Sequence, residues 1–382
     1  MPTASTRRAR GAVFGGAGFA TIVVLGWLLA GVTSDRVARA ASSGAVVGFP
    51  TVRRHLEPAV DSPCDPPPSP LTYHWPVKPF YVQHPIRGFF GDPRTVGRGR
   101  LGFDRRGSRG SFSFHNGVDI YAPGGTPVYP VVSGVAHVKN GERVSVTTGD
   151  GRTFQYVHIA PAVQPGERVV AYRTVLGTVK RVFQHIHLSE LDHFRAHNPL
   201  DPGHLEPYRD RTVPRIDRLS FVTGEGLALI PGHLFGSVRI TVRAEDVTSL
   251  PVPGHWLGFP VTPALIAWQL ATARGRVVLH AVSADFRHTE PSNANFWRTY
   301  AAGTYQNFPD FTHHLYWHVP GRYLFDLTPT LLHTARLPNG IYRISVSAAD
   351  TCGNSSTLTE TIDIDNPPGS PVPVESKRAA AN

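Results

Sequence analysis

Between Trp75 and Pro207 the apolar residues come in short, β-branched runs cut off by glycine and proline, and this punctuation constrains the fold more than anything else in the chain. Thr126 to Val132 is such a run, bounded by Gly124-Gly125 and Gly134. Arg143 to Thr148 alternates, Gly149-Asp150-Gly151 supplies a hairpin turn, and Thr153 to His158 returns. Val169 to Ala171 and Val175 to Gly177 add two more short strands. Only Leu191 to His197 carries any 3.6-residue apolar periodicity. The pattern predicts an antiparallel β domain over 76–207.

With 382 residues and 41% hydrophobic content the chain has room for two globular domains. The second is predicted over 213–366, where Ser237 to Val242 and Ile341 to Val346 read as strands. Asn339-Gly340, before the latter, is a hairpin-turn signal. Strands and turns of this kind predict a β-sandwich of the immunoglobulin type, making the whole chain all-β. The stretch Asp285 to Pro320 is rich in aromatics and histidine and has no clear pattern. Residues 41–75 read as a linker, since Cys64-Asp65-Pro66-Pro67-Pro68-Ser69-Pro70 suits neither helix nor sheet interior. Residues 367–382 read as a disordered tail.

Residues 1–40 read as an export signal or signal anchor. Arg7, Arg8 and Arg10 precede an apolar stretch from Ala12 to Val32, and Ala38-Arg39-Ala40 has the small-x-small form of a cleavage site. The apolar run is also long enough to span a bilayer, so removal and retention as a membrane anchor both stay open. Either outcome puts the remainder outside the cytoplasm, secreted, wall-associated or anchored. Such a compartment permits Cys64 and Cys352, the two cysteines, to pair, and spacing alone leaves the pairing open. Two cysteines so far apart exclude a cysteine-ligated zinc site. The net charge of +10 favours a polyanionic partner such as an anionic membrane face or an acidic wall polymer. There is no run of five basic residues and no nucleic-acid-binding signature, so no nucleic-acid partner is predicted.

With 19 histidines in the chain, a bare His-x-His pair carries little weight. Two segments nevertheless stand out. One runs His115-Asn116-Gly117-Val118-Asp119-Ile120-Tyr121-Ala122-Pro123-Gly124-Gly125-Thr126-Pro127-Val128; the other is Gln184-His185-Ile186-His187-Leu188. Side chains two or four apart on a strand share a face, so His185 pairs with His187 and, in extended chain, His115 with Asp119. Two imidazoles and one carboxylate make a three-ligand zinc set with a fourth position left for water. These segments resemble the lysostaphin-like (LytM-type) zinc endopeptidases, marked by His-x-x-x-Asp, then Gly/Ala-Pro-x-Gly-Thr-Pro-Val, then His-x-His. Arg87 to Arg94 resembles that family's opening strand, Tyr156-Val157-His158-Ile159 its Tyr-x-His-Leu strand, and Asn198 to Pro202 its closing segment. The resemblance implies zinc bound by His115, Asp119 and His187, with His158 and His185 as the catalytic pair. It implies hydrolysis of peptidoglycan stem or cross-bridge peptides.

The chain departs from that pattern in three places. Glu190 sits one position late and would face away, Thr178 to Gln184 replaces a Gly-rich approach, and Val96 to Ser113 is inserted. A rival constellation, His193 and His197 at helical i,i+4 spacing, lacks the adjacent glutamate and reads as surface. The segment Phe296 to His318 offers either a sugar-stacking surface or a packed loop. A second functional reading is a catalytically silent relative that binds wall or partner proteins, with the C-terminal sandwich as the working part.

Overall fold

The computed structural model describes residues 55–56, 64, 69–94, 112–306 and 319–369, all within one compact unit spanning 50–382. The export segment, most of the linker, the greater part of the Val96 to Ser113 insertion, the aromatic positions from Phe308 to His318 and nearly all of the tail lie outside the described residues. Among the described residues no helix is long and apolar enough to cross a membrane.

The protein is mostly β, and its sheets are antiparallel. The N-terminal half holds an eight-stranded sheet. Across it run Arg168–Val169, Gly134–Lys139, Arg143–Thr147, Thr153–Val157, His185–Asp192, Val118–Tyr121 and Ile86–Gly88, with Arg195–His197 also paired to His185–Asp192. A small sheet of Ile159–Pro161, Gly177–Val179 and Pro127–Val128 lies beside it. Period-two alternation sends Val144, Val146, Phe154, Tyr156, Ile186 and Leu188 to one face, all buried in a single cluster. That cluster includes Tyr73 and Trp75, so packing begins ahead of residue 76.

Leu191 to His197 is not helical, despite its periodicity. The chain reverses at His193 and Phe194, both at positive φ (44° and 72°), and Glu190 pairs with His197 across the resulting hairpin. A two-residue turn with both residues left-handed matches strand twist, and the tertiary pairing outweighs a weak local helical pattern. His193 and His197 therefore do not share a helix face.

In the C-terminal half, one sheet carries His55–Leu56, Ser355–Ile364, Gly340–Ala349, Leu265–Thr272 and Val277–Asp285 in that order. A second is built around Ser237–Val247, which pairs with Arg215–Thr223, Pro260–Val261, Leu324–Asp326 and Leu332–His333. Residues of both sheets, including Ile240, Val242, Ile344 and Val346, join one core. Asn339-Gly340 is not a hairpin between paired strands. It links Leu332–His333 in one sheet to Gly340–Ala349 in the other, with Gly340 at φ 136°. From the stretch without pattern, Phe296 and Tyr300 are buried in this core, so these two rings pack rather than face solvent. Phe90, Phe114 and Ala196 of the N-terminal half join the same cluster. Cys64 and Cys352 form a disulfide, with Cα atoms 5.0 Å apart.

Candidate metal centre

Register brings the two histidine-bearing segments together. Val118–Tyr121 and His185–Asp192 are neighbouring antiparallel strands in which His187 lies directly opposite Asp119 and His185 opposite Tyr121. Cross-strand partners put their Cβ atoms about 5 Å apart, within reach of a shared ion. His115 precedes its strand and is held by backbone hydrogen bonds in both directions, its N–H to Asp92 O and its carbonyl from Gly91 N–H. Gly117 lies between. A Cβ there would stand 2.3 Å from Leu188 O and 2.9 Å from His187 Nε2, so the approach of the two segments requires glycine.

His115 Nε2, Asp119 Oδ1 and His187 Nδ1 form a triangle. The sides are 2.8 Å between the imidazoles and 3.2 Å from each to the carboxylate. A tetrahedral zinc with ligands at about 2.0–2.1 Å has edges of about 3.3 Å, slightly wider than these. The outer nitrogen of each ring has its own oxygen partner, His115 Nδ1 at 2.8 Å from Phe89 O and His187 Nε2 at 2.7 Å from Ser189 Oγ. His115 Nδ1 must donate, because a carbonyl only accepts, so His115 Nε2 presents a lone pair to His187 Nδ1 and Asp119 Oδ1. When Ser189 Oγ accepts from His187 Nε2, His187 Nδ1 presents a lone pair too. Such an arrangement is favourable around a cation and repulsive without one, so these residues fit a divalent metal.

Electrostatics agree. Burial pushes His115 down to about 3, with Arg94 adding to the effect, so the ring is neutral as a ligand must be. Burial works against the Asp119 carboxylate, yet the group is held well below the ordinary range, and with His115 neutral the charge that holds it there is that of Arg94. Asp119 Oδ2, turned from the triangle, accepts from Arg94 Nη2 at 2.8 Å, and Arg87 Nη2 stands 3.7 Å away.

His185 and His158 flank the triangle. His185 Nδ1 donates to Phe183 O at 2.7 Å, leaving Nε2 as an acceptor 3.7 Å from Asp119 Oδ1 and 3.3 Å from Arg87 Nη2. Burial, then the Arg87 charge, lowers His185 well below its ordinary value. The His158 ring centre is 4.8 Å from that of His185 and stacks on Phe183 at 4.0 Å. Burial lowers His158 to about 4, and its Nδ1 is buried with no hydrogen-bond partner. His158 turns the chain out of the Thr153–Val157 strand at φ 69°, and Gln184, before His185, stands at φ 52°. Two non-glycine residues in the left-handed region at one site mark a backbone held by its surroundings. All five residues singled out from the sequence thus lie in one cluster. His193 is not part of it; its ring is exposed and 2.5 Å from Asp192 Oδ1.

Sequence reading missed the supporting groups. Ser189 was legible, two positions beyond His187 on the same strand face. Glu190 faces the other way, accepting from Tyr73 Oη at 2.9 Å and facing His204 Nδ1 at 2.8 Å. Nothing in the sequence pointed to Gln306 and Trp256, which come from the C-terminal half. Gln306 accepts from Arg94 and donates to Asp92 Oδ2 at 2.6 Å, while the Arg87 guanidinium lies over the Trp256 ring at 4.7 Å.

No family model matches the chain, and no curated protein does. Solved structures do. A Pseudomonas aeruginosa protein assigned to peptidase family M23 aligns at 21% identity and TM-score 0.21, over 33% of this chain and 47% of its own. A zinc-containing peptidase from Vibrio cholerae aligns at 22% identity and TM-score 0.26, over 34% and 39%. The catalytic domain of lysostaphin from Staphylococcus simulans aligns at 22% identity and TM-score 0.22, over 30% and 86%. The chain thus spans less than half of the first two.

Proposed function

We propose that the chain is an exported zinc-dependent endopeptidase that cuts peptide bonds of bacterial cell-wall peptidoglycan. In this reading 1–40 directs export or anchors the chain, 76–207 is the peptidase domain, and 213–366 is an immunoglobulin-like sandwich facing the same compartment. The observation that carries it is the triangle of His115 Nε2, Asp119 Oδ1 and His187 Nδ1, with two neutral imidazoles beside it.

Zinc, when bound, supplies a Lewis acid that polarises a carbonyl and lowers the pKa of water toward neutrality. His185 is the base, because its Nδ1–H is committed to Phe183 O and Nε2 is left to accept a proton near the triangle. His158 is neutral and donates a hydrogen bond to the carbonyl oxygen as charge develops there. Arg94 holds Asp119 through Oδ2, leaving Oδ1 as the oxygen that would serve as ligand.

The test is zinc stoichiometry together with hydrolysis of purified cell-wall material by the full chain, His115→Ala and His185→Ala. Wild type is expected to hold one zinc and release soluble peptide. His115→Ala should lose both properties, and His185→Ala should keep the metal while losing at least about 100-fold in rate. A metal-loaded, folded wild type that releases nothing would overturn the reading in favour of a silent, wall-binding role.

A further inference from the structure

Away from this site, Asp210, Asp246 and Asp350 bring one carboxylate oxygen each to within 4.8 Å of the others, and all three residues are buried. We propose that they form a second, structural metal site that takes calcium and clamps the junction between the two halves of the protein.

Two of the carboxylates are already oriented. Asp210 Oδ1 accepts from Thr212 N at 2.8 Å and its Oδ2 from Tyr208 Oη at 3.0 Å. Asp350 Oδ1 accepts from Asn354 N at 2.9 Å and its Oδ2 from Asn354 Nδ2 at 2.6 Å. Asp246 differs. Its Oδ1 accepts only from the adjacent Val247 N at 2.8 Å, and its Oδ2 is fully buried with no hydrogen-bond partner. The residue is 1% exposed. An orphaned carboxylate oxygen in a protein interior is disfavoured by desolvation unless something positive meets it. Burial first, then hydrogen bonds and the other aspartates of the cluster, set the ionisation of these three groups, with no cationic side chain among the described residues contributing. The charged neighbours of Asp246 are the other two aspartates.

Asp246 and Asp350, though not Asp210, line a cavity of about 10 Å³, the room that one water-sized sphere needs, with polar Thr262 and apolar Phe89 and Leu200 also in its lining. Three hard oxygen donors and no nitrogen or sulfur suit calcium, which accepts irregular oxygen shells, better than zinc. The ligands come from three separate places. Asp210 lies between the halves, Asp246 near the end of Ser237–Val247, and Asp350 just after Gly340–Ala349. Cys352, two residues beyond Asp350, carries the disulfide to Cys64, and Asn354 Nδ2 donates to Asp210 O at 3.0 Å. An ion here ties the same seam by electrostatics that the disulfide ties covalently.

The experiment is thermal melting of the full chain, first freed of metal on a chelating resin, with and without millimolar calcium. It is run on wild type, His187→Ala and Asp246→Asn, the last keeping shape and the Val247 contact while removing the charge. Calcium is expected to raise the midpoint by about 4 °C in wild type and in His187→Ala, and by nothing in Asp246→Asn. No rise in wild type, as carboxylic acids sharing protons would give, overturns the proposal; so does an equal rise in Asp246→Asn. Should Asp246→Asn not fold, terbium luminescence sensitised by Tyr208 decides. Emission in wild type and His187→Ala that calcium displaces supports the site, and its absence in either rejects it.

Discussion

His158 and Arg94 show how single side chains are set by their surroundings. An imidazole in water titrates near 6.5, but burial disfavours its charged form, so His158 is brought to about 4. Its C2 proton in the metal-free protein is therefore expected to hold a constant NMR shift from pH 8 down to 5 and to move only below that. Titration near 6.5 would show that water reaches the ring. Arg94 touches the metal triangle only through Asp119 Oδ2. Replacement by methionine keeps much of the bulk and removes the donor, and groups of this kind are worth about 10–100-fold in metal affinity. Competition with a chromophoric chelator is expected to show Arg94→Met losing zinc in that range. Loss of the charge that compensates the buried Asp119 carboxylate is expected to lower the melting temperature of the metal-free protein as well.

At the scale of elements, the site depends on two strands meeting in one register. His187 faces Asp119 because Leu188 pairs with Val118 and Ile186 with Ile120. A one-residue slip would turn His185 and His187 into the core and bring Ile186 and Leu188 out. Gly117 is where this meeting is most sensitive, since any side chain would strike backbone, the Leu188 carbonyl, rather than a movable group. Gly117→Ala is expected to cost about 1–3 kcal/mol in urea denaturation and to abolish stoichiometric zinc binding. Retained zinc at wild-type stability would mean that the strands part without cost. The hairpin at His193 and Phe194 shows the same priority, because strand pairing decided a segment whose spacing suggested helix.

For the molecule as a whole, the notable contacts cross between the halves. Gln306 and Trp256, from the C-terminal half, buttress Arg94 and Arg87 beside the candidate metal centre, and Phe286 packs against Gly91. The Cys64–Cys352 bond closes a separation of 288 residues. A cross-link over so long a loop limits the unfolded chain strongly, and native disulfides contribute about 2–5 kcal/mol. Cys352→Ser is expected to lower the denaturation free energy by that amount, and a reducing agent should lower wild type to the same level. No difference between oxidised and reduced wild type would show that the bond adds nothing.

The all-β class, the short antiparallel strands and the separate histidine-bearing segments were legible in the residues, because strand alternation, turn glycines and donor chemistry are local properties. What the chain by itself left open was distance. The turn at His193, the crossing between sheets at Asn339-Gly340, the Cys64–Cys352 pair, the support from Gln306 and Trp256 and the meeting of Asp210, Asp246 and Asp350 all depend on backbone brought together over tens to hundreds of residues. Contacts of that separation are chosen by packing of the whole core, in which each local preference is weak beside the sum of buried surface and paired strands.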